Sequence, residues 1–142
     1  MQTVGQFLAR TRRTLWSIGP DSTVRDALVL MADKNIGAVV VTNQDRLVGI
    51  FSERDYARKV ALYGRSSDET LLNEVMTHDL ITVTDDIGID ACMQLMTDHH
   101  IRHLPIMKGD KLLGIISIGD VVSEMIVEQK DMIEQLQRYI AG

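Results

Sequence analysis

The strongest constraint on this chain is an internal repeat with an offset of 65 positions. Shifted by that offset, Leu15–Asp55 falls on Leu80–Asp120 without a gap. Identical residues recur at matching positions, among them the pairs Asp21/Asp86, Leu30/Leu95, Met31/Met96, Gly49/Gly114, Ser52/Ser117 and Asp55/Asp120. Chance apolar periodicity aligns leucines and methionines, but it does not also align glycine, serine and aspartate in one cluster. The repeat predicts two copies of one structural unit.

Each copy has the residue pattern of a strand, a helix, two strands and a second helix. Short β-favouring runs begin the copies at Leu15–Ile18 and Leu80–Val83. Helical apolar stripes follow, formed by Val24, Ala27, Leu28 and Met31 and by Ile89, Cys92, Met93 and Met96. Two strands joined by a polar turn come next, at Ala38–Thr42 and Leu47–Phe51 and at His103–Met107 and Leu112–Ile116. The second helices are expected to start at Ser52 and Ser117, so the predicted fold is mixed α/β (α+β).

One β-α-β-β-α unit has too few elements to bury its own apolar faces well. We therefore expect the two units to pack about a pseudo-two-fold axis that creates two related clefts. The predicted organisation is an N-terminal helical flank at 1–14, a first repeat at 15–64, a linker at 65–72, a second repeat at 73–128 and a C-terminal helix at 129–142. Each flank has an apolar stripe that either packs on the body or forms a dimer seam: Val4, Phe7 and Leu8, and Ile133, Leu136 and Ile140.

Composition excludes several classes of protein. The 142 residues are 45% hydrophobic and 25% charged, as in ordinary globular proteins. A net charge of −5 argues against binding to nucleic acid or anionic lipid, although Arg10, Arg12 and Arg13 form a basic cluster. No apolar run approaches the roughly 20 residues of a membrane helix. The single cysteine, Cys92, suits a reducing compartment, so we expect a cytoplasmic protein.

The most distinctive repeated element is the cluster Gly–apolar–apolar–Ser–x–x–Asp that ends each copy's last strand. A serine followed three residues later by an acid resembles a helix capping box, which explains Ser52/Asp55 and Ser117/Asp120 without a ligand. Glycine inside an apolar strand, however, often marks the close approach of a ligand or of backbone. The helix start offers N–H groups to a phosphate, and an aspartate there accepts hydrogen bonds from a ribose diol. A nucleoside phosphate satisfies both requirements.

This pattern, placed after two strands and occurring twice in register, resembles the cystathionine β-synthase (CBS) domain pair, or Bateman module, over about Leu8 to Glu128. The resemblance implies a sensor that binds an adenine nucleotide in a cleft and catalyses no reaction. In that family the aspartate holds ribose, the serine or threonine meets phosphate, and the base lies in an apolar slot. The implied ligands are AMP, ADP, ATP or NAD(H), and some members bind S-adenosylmethionine or cyclic dinucleotides.

Carried over residue by residue, the resemblance implies two nucleotide sites, to which the charge pattern adds Arg54, Arg58 and Arg102. The first consists of Ser17, Ile18, Gly37, Ala38, Ser52, Arg54, Asp55 and Arg58. The second consists of Thr82, Val83, Arg102, His103, Leu104, Pro105, Ser117 and Asp120.

The two sites are not expected to be equivalent. Arg54 and Arg58 are a like-charge i, i+4 pair that an anion would stabilise, whereas the second copy has no cation on the corresponding turn. The first site is therefore predicted to prefer more phosphate charge, with Arg102 or His103 assisting the second. Alternatively, the arginines form a solvated helix face on which Asp55 and Lys59 make an ordinary i, i+4 salt bridge.

Other chemistries have weaker support in the sequence. His99 and His103 are four residues apart, but the repeat assigns His103 to a strand, so no metal site is predicted. Cys92 falls on a helix stripe and no nucleophile elbow or P-loop is present, so no catalysis is predicted. The predicted function is a sensor that signals to a separate partner protein and forms a homodimer. The alternative is a dimerisation or docking module that binds no ligand.

Overall fold

The computed structural model describes residues 2–141 and confirms a mixed α/β fold. Its helices are α1 Val4–Thr11, α2 Val24–Lys34, α3 Glu53–Asp55, which continues as a π-helix at Tyr56–Ala61, α4 Leu72–Val75, α5 Ile89–His99 and α6 Ile118–Ala141. Its strands are β1 Ser17–Ile18, β2 Ala38–Asn43, β3 Arg46–Ser52, β4 Val83–Thr84, β5 His103–Lys108 and β6 Lys111–Ser117. The strands form two three-stranded sheets, with orders β1-β2-β3 and β4-β5-β6. β1 and β4 pair in parallel with the middle strands β2 and β5.

Several element bounds differ from the sequence predictions. The run Leu15–Ile18 reduces to β1, because only its last two residues pair with Val40 and Val41. β4 begins where Leu80–Val83 was expected to end. Neither the short helix α4 nor the π-helix was predicted. Helix α4 has only four residues, too few to show an apolar periodicity, and an i, i+4 stripe does not distinguish a π turn from an α turn.

The chain divides into two compact units that do not follow the repeats strictly. The first-repeat unit contains residues 14–81 together with 109–113. The second-repeat unit contains the described residues 2–13, 82–108 and 114–141. The core of the first-repeat unit consists of buried apolar residues: Val24, Ala27, Met31, Val39, Val41, Phe51, Val60, Leu72, Val75 and Met76. In the second-repeat unit the buried side chains include Val4, Phe7, Ile89, Cys92, Met96, Leu104, Ile106, Ile116 and Val121.

Helix α1 takes the place in the second-repeat unit that α4 takes in the first-repeat unit. Val4 N donates to Ile87 O and Gly5 N to Asp85 O, both at 2.9 Å. In the first-repeat unit, Leu72 N donates to Ser22 O at 2.9 Å and Asn73 N to Pro20 O at 3.0 Å. The acceptor residues of the two units are separated by the repeat offset of 65 positions. The donor residues on α1 and α4 are separated by 68 positions, so the helices do not follow the repeat offset. The N-terminal stripe thus packs on the body, with Val4 and Phe7 buried.

Cys92 lies in α5 with no exposed surface, as expected of a core residue. Burial, followed by the nearby charge of Asp90, raises the pKa of its thiol to about 11. We predict that the native protein reacts with a disulfide reagent at pH 8 at least about 100-fold more slowly than the unfolded chain, because the thiolate is the reactive form. Stopped-flow absorbance with and without denaturant measures both rates on this single cysteine. Equal rates would contradict the burial of the thiol.

Candidate functional site

The two Ser–x–x–Asp clusters form capping boxes of the same geometry. Asp55 N donates to Ser52 Oγ at 3.1 Å, and Ser52 N donates to Asp55 Oδ2 at 3.0 Å. In the second copy, Asp120 N donates to Ser117 Oγ at 3.1 Å and Ser117 N to Asp120 Oδ2 at 2.9 Å. The capping interpretation is therefore confirmed in both repeats. Each box uses Oδ2 of the aspartate, so the surroundings of Oδ1 determine what else the carboxylate can bind.

The Asp55 carboxylate is saturated by side chains of its own unit. Its Oδ1 accepts from Thr77 Oγ1 and from Lys59 Nζ, both at 3.0 Å, and its Oδ2 also accepts from Ser52 Oγ at 3.0 Å. Together with Ser52 N, these contacts use the roughly four lone-pair positions of a carboxylate. Asp55 is 8% exposed. The expected Asp55–Lys59 salt bridge is confirmed, and a ribose diol would have to displace Lys59 or Thr77.

The Asp120 carboxylate has a different neighbour on Oδ1. Arg13 donates to it from its guanidinium at 2.6 Å, and the Arg13 side chain is 48% exposed. Burial by itself raises the pKa of Asp120, but the hydrogen bonds from Arg13 and Ser117 outweigh it and hold the pKa below its ordinary value. Asp120 is therefore an anion at neutral pH, and its second partner is a long side chain at the surface.

The N-terminal segment supplies to the second repeat the cations that the first repeat carries on its own helix. The residue at the position of Lys59 in the second repeat is Glu124, a like charge one turn from Asp120. Arg10 pairs with Glu124, and Gln2 Nε2 donates to Glu124 Oε2 at 3.0 Å. Arg10 and Arg13 thus neutralise two acids of α6, which leaves little of the basic cluster to act as a nucleic-acid surface. No pattern in the sequence indicates the Arg13 contact.

In the first-repeat unit, the predicted residues around Ser52 lie close together. Ala38 is the register partner of Ser52, and Glu53 N donates to Gly37 O at 3.0 Å. Arg54 is half-buried and Arg58 is exposed on the π-helix. Ser17 and Ile18 lie on β1, on the other side of β2 from β3.

A surface cleft of about 500 Å³ adjoins this corner of the first-repeat unit. It is lined by Leu28, Met31, Ala32, Asn35, Ile36, Gly37, Glu53 and Tyr56. Of the residues predicted to bind nucleotide, Gly37 alone lines this cleft. The cleft therefore opens on the helix α2 side of Gly37, and the carboxylate of Asp55 takes no part in it.

The second-repeat unit repeats the same local arrangement. Ile118 N donates to Arg102 O at 2.8 Å, which is the counterpart of the Glu53–Gly37 hydrogen bond. His103 begins β5 as predicted, and Leu104 and Pro105 are buried. Val83 is buried opposite Ile106, and Thr82 is exposed just before β4. Arg102 is exposed, so its side chain lies at the surface beside the Ser117 box.

The repeated glycines admit neighbouring protein segments. A Cβ on Gly49 would lie 2.6 Å from Met76 Sδ and 3.0 Å from Thr77 O, and a Cβ on Gly114 would lie 2.9 Å from Leu8 Cδ2. Of the two explanations for a strand glycine, close approach of a ligand or of neighbouring protein, the structure supports the second at both positions. Gly49 makes room for the segment that follows α4, and Gly114 makes room for Leu8 of α1.

Residues 2–141 contain no group of three or more His, Cys, Asp and Glu side chains placed to hold a metal ion. Helix α5 ends at His99, and His100 is its left-handed cap, with φ 53°. His103 lies on β5, so His99 and His103 do not share one helix face. Over the same residues, every helix is too short or too polar to cross a membrane.

Comparison with known proteins identifies the family. A model of the CBS domain matches residues 4–62 and 72–127. The mitochondrial CBS domain-containing protein CBSX3 of Arabidopsis thaliana is 44% identical over 127 residues, which cover 86% of this chain and 62% of that protein. YhcV of Bacillus subtilis is 34% identical, over 74% of each chain. This chain therefore spans somewhat less than two thirds of the length of CBSX3.

Solved structures agree with the sequence matches. A CBS-domain protein of Burkholderia ambifaria is 46% identical, with a TM-score of 0.85 over 90% of this chain and 96% of that chain. The CBS-domain protein ATU1752 of Agrobacterium tumefaciens is 36% identical, with a TM-score of 0.81 over 87% and 99%. The CBS domain pair of MJ0100, solved with 5′-methylthioadenosine and S-adenosyl-L-methionine, shares the fold at 20% identity, a TM-score of 0.77 and coverage of 91% and 98%. The chain belongs to the CBS-domain family and carries two CBS domains.

Proposed function

We propose that this CBS-domain pair is a regulatory module that binds an adenosine-containing ligand and passes its occupancy to a separate partner protein, without catalysis. The candidate ligands are AMP, ADP, ATP and NAD(H), with S-adenosylmethionine as a further member of the class. Membership of the family and the two Ser–Asp boxes support this proposal. The cytoplasm stays the predicted compartment, although the relative CBSX3 is named as mitochondrial.

The observation that carries the proposal is the state of Asp120. Its carboxylate is ionised, is held in place by Ser117, and shares Oδ1 with a half-exposed arginine. A ribose diol can donate two hydrogen bonds to such an anion, and its phosphate would then lie near the helix start of α6 and the displaced Arg13. The Asp120 carboxylate has two hydrogen-bond partners, one of them a half-exposed arginine, whereas that of Asp55 has four partners and Asp55 is 8% exposed. We therefore propose Asp120 as the primary ribose ligand and a mainly structural role for Asp55.

Exchange of Arg13 for ribose on Asp120 also provides a route for signalling. Arg13 and Arg10 tie the N-terminal segment to α6 through two acids. A ligand that takes Asp120 releases one of these ties, and it shifts the population of N-terminal conformations only because it binds the two states unequally. The partner protein would recognise this difference.

The test is a thermal-shift screen with AMP, ADP, ATP, NAD+, NADH, S-adenosylmethionine and cyclic di-AMP. A ligand at 100 times its Kd adds about 2.7 kcal/mol of stability, which corresponds to about 5–10 °C for a chain of this size. We expect at least one compound to give such a shift. Asp120→Ala should abolish the shift, because it removes the diol acceptor.

The matched control is Asp131→Ala, which removes an exposed aspartate from the same helix and should leave the shift unchanged. Stabilisation that persists in Asp120→Ala would refute the assignment of the ribose ligand. If none of the seven compounds stabilises the wild-type protein, the alternative function holds: a docking module whose Ser–Asp boxes only cap helices. The exposed apolar residues of α6 favour that alternative.

A further inference from the structure

Helix α6 extends well beyond the part that packs in its unit. Val121, near its start, is fully buried, whereas every residue from Gln129 to Ala141 is exposed. A solvated helix of this length is marginal in water, because most helical stability in proteins comes from packing an apolar face. The C-terminal stripe predicted to pack on the body or to form a seam does not pack on the body in this chain.

Five of the exposed apolar residues of α6 follow a heptad spacing, whereas Val127, Met132 and Tyr139 lie outside it. Val122, Ile126, Ile133, Leu136 and Ile140 are between 41% and 82% exposed. With Gln129 included, the positions are separated by 4, 3, 4, 3 and 4 residues, the alternation of a coiled-coil seam. In heptad terms isoleucine occupies the three a positions, and Val122, Gln129 and Leu136 occupy the d positions. Isoleucine at a with leucine at d favours parallel two-stranded coiled coils, and here leucine occupies one of the three d positions.

We propose that α6 pairs with α6 of a second copy of this chain as a parallel, in-register, two-stranded coiled coil. Gln129 points to the same chain as partner, because a polar residue in a seam is tolerated when it faces a group that hydrogen bonds to it. In register, Gln129 faces its own copy, and the two amides each have a donor and an acceptor. A partner of different sequence would have to supply a matching polar residue at that one position.

The charges on α6 are compatible with this pairing. Asp131, Glu134 and Arg138 lie at positions away from the seam, where they stay in water. The g positions that flank the seam are Met125, Met132 and Tyr139, and the e positions are Ser123, Lys130 and Gln137. A parallel pair therefore brings no like charges together across its edges, and the g-position side chains widen the apolar contact. The pairing requires no ligand, so its test is independent of the nucleotide proposal.

Sedimentation equilibrium of the full chain without ligand tests the pairing. We expect a mass of twice 15.9 kDa, and we expect the double variant Ile133→Glu, Leu136→Glu to raise the dimer dissociation constant by about 100-fold or more. The control Val127→Glu alters a residue that is 53% exposed on the same helix but outside the seam, and it should keep the dimer. A monomeric wild type, a larger oligomer, or a dimer that survives the double variant would overturn the proposal.

Disulfide crosslinking tests the orientation and register. In a parallel in-register pair, Leu136→Cys brings two thiols together at a d position, so air oxidation should link nearly all chains. Val127→Cys points away from the seam and should crosslink at least about ten-fold more slowly; the buried thiol of Cys92 does not compete. An antiparallel pair centred on the seam would hold the two thiols introduced by Leu136→Cys about 15 Å apart along the helix axis, so equal or absent crosslinking of the two variants contradicts the parallel arrangement.

Discussion

Replacing Asp55 by alanine will lower the free energy of unfolding by about 3 kcal/mol. The side chain is nearly buried and accepts hydrogen bonds from the Ser52 backbone and hydroxyl, from Thr77 and from Lys59. Its removal leaves these donors without their partner and also removes a helix cap, which alone is worth about 1 kcal/mol. Urea denaturation followed by far-UV circular dichroism measures the loss.

The second repeat provides the matched control for Asp55. Asp120→Ala removes the same capping box, but its other partner, Arg13, is half-exposed and returns to water. We expect a loss of about 1 kcal/mol, mostly from the cap. If the two variants were destabilised equally, the additional contacts of Asp55 would contribute nothing to stability and its proposed structural role would be wrong.

Replacing Gly49 by alanine will lower the free energy of unfolding by about 2 kcal/mol through overpacking. The added methyl group would lie 2.6 Å from Met76 Sδ, which can rotate, but also 3.0 Å from the carbonyl oxygen of Thr77. That carbonyl cannot move freely, because Ile50 N donates to it at 3.1 Å and Thr77 N donates to Ile50 O at 2.8 Å. Thermal and urea unfolding both measure the effect.

Gly114→Ala is the equivalent change in the second repeat. Its methyl group would meet the end of the Leu8 side chain, which can change rotamer, so we expect a loss below about 1 kcal/mol. A larger loss at Gly114 than at Gly49 would show that α1 constrains its strand more tightly than the Thr77 bridge does, and it would contradict this explanation of the two glycines.

Features that depend on neighbours in the sequence were predictable. The capping boxes join residues three positions apart, so Ser52/Asp55 and Ser117/Asp120 could be identified from spacing alone. The salt bridge between Asp55 and Lys59 is an i, i+4 contact and was predictable for the same reason. The turn at Asn43–Arg46 was also expected, and Gln44 and Asp45 adopt the positive φ angles of a tight hairpin turn.

Features that depend on distant segments were not predictable. Arg13 and Asp120 are 107 positions apart, and no pattern in either neighbourhood indicates that they pair. The correspondence of α1 with α4 was hidden because the two helices are 68 positions apart in the chain, three more than the 65-position offset of the repeats. The role of Gly49 was ambiguous for a similar reason, since only the folded chain shows that Met76 and Thr77 occupy the space beside it.

The sequence by itself determined that two copies of a β-α-β-β-α unit exist, in which order their helices and strands follow, and which serine and aspartate begin each second helix. These properties follow from short-range periodicity and local hydrogen bonding, which the order of residues specifies directly. Only the tertiary structure decided that Thr77 also closes over Asp55 while Asp120 meets a surface arginine, and that the end of α6 has an exposed seam. Those differences arise from packing between segments far apart in the chain, and two nearly identical motifs acquire different environments through it.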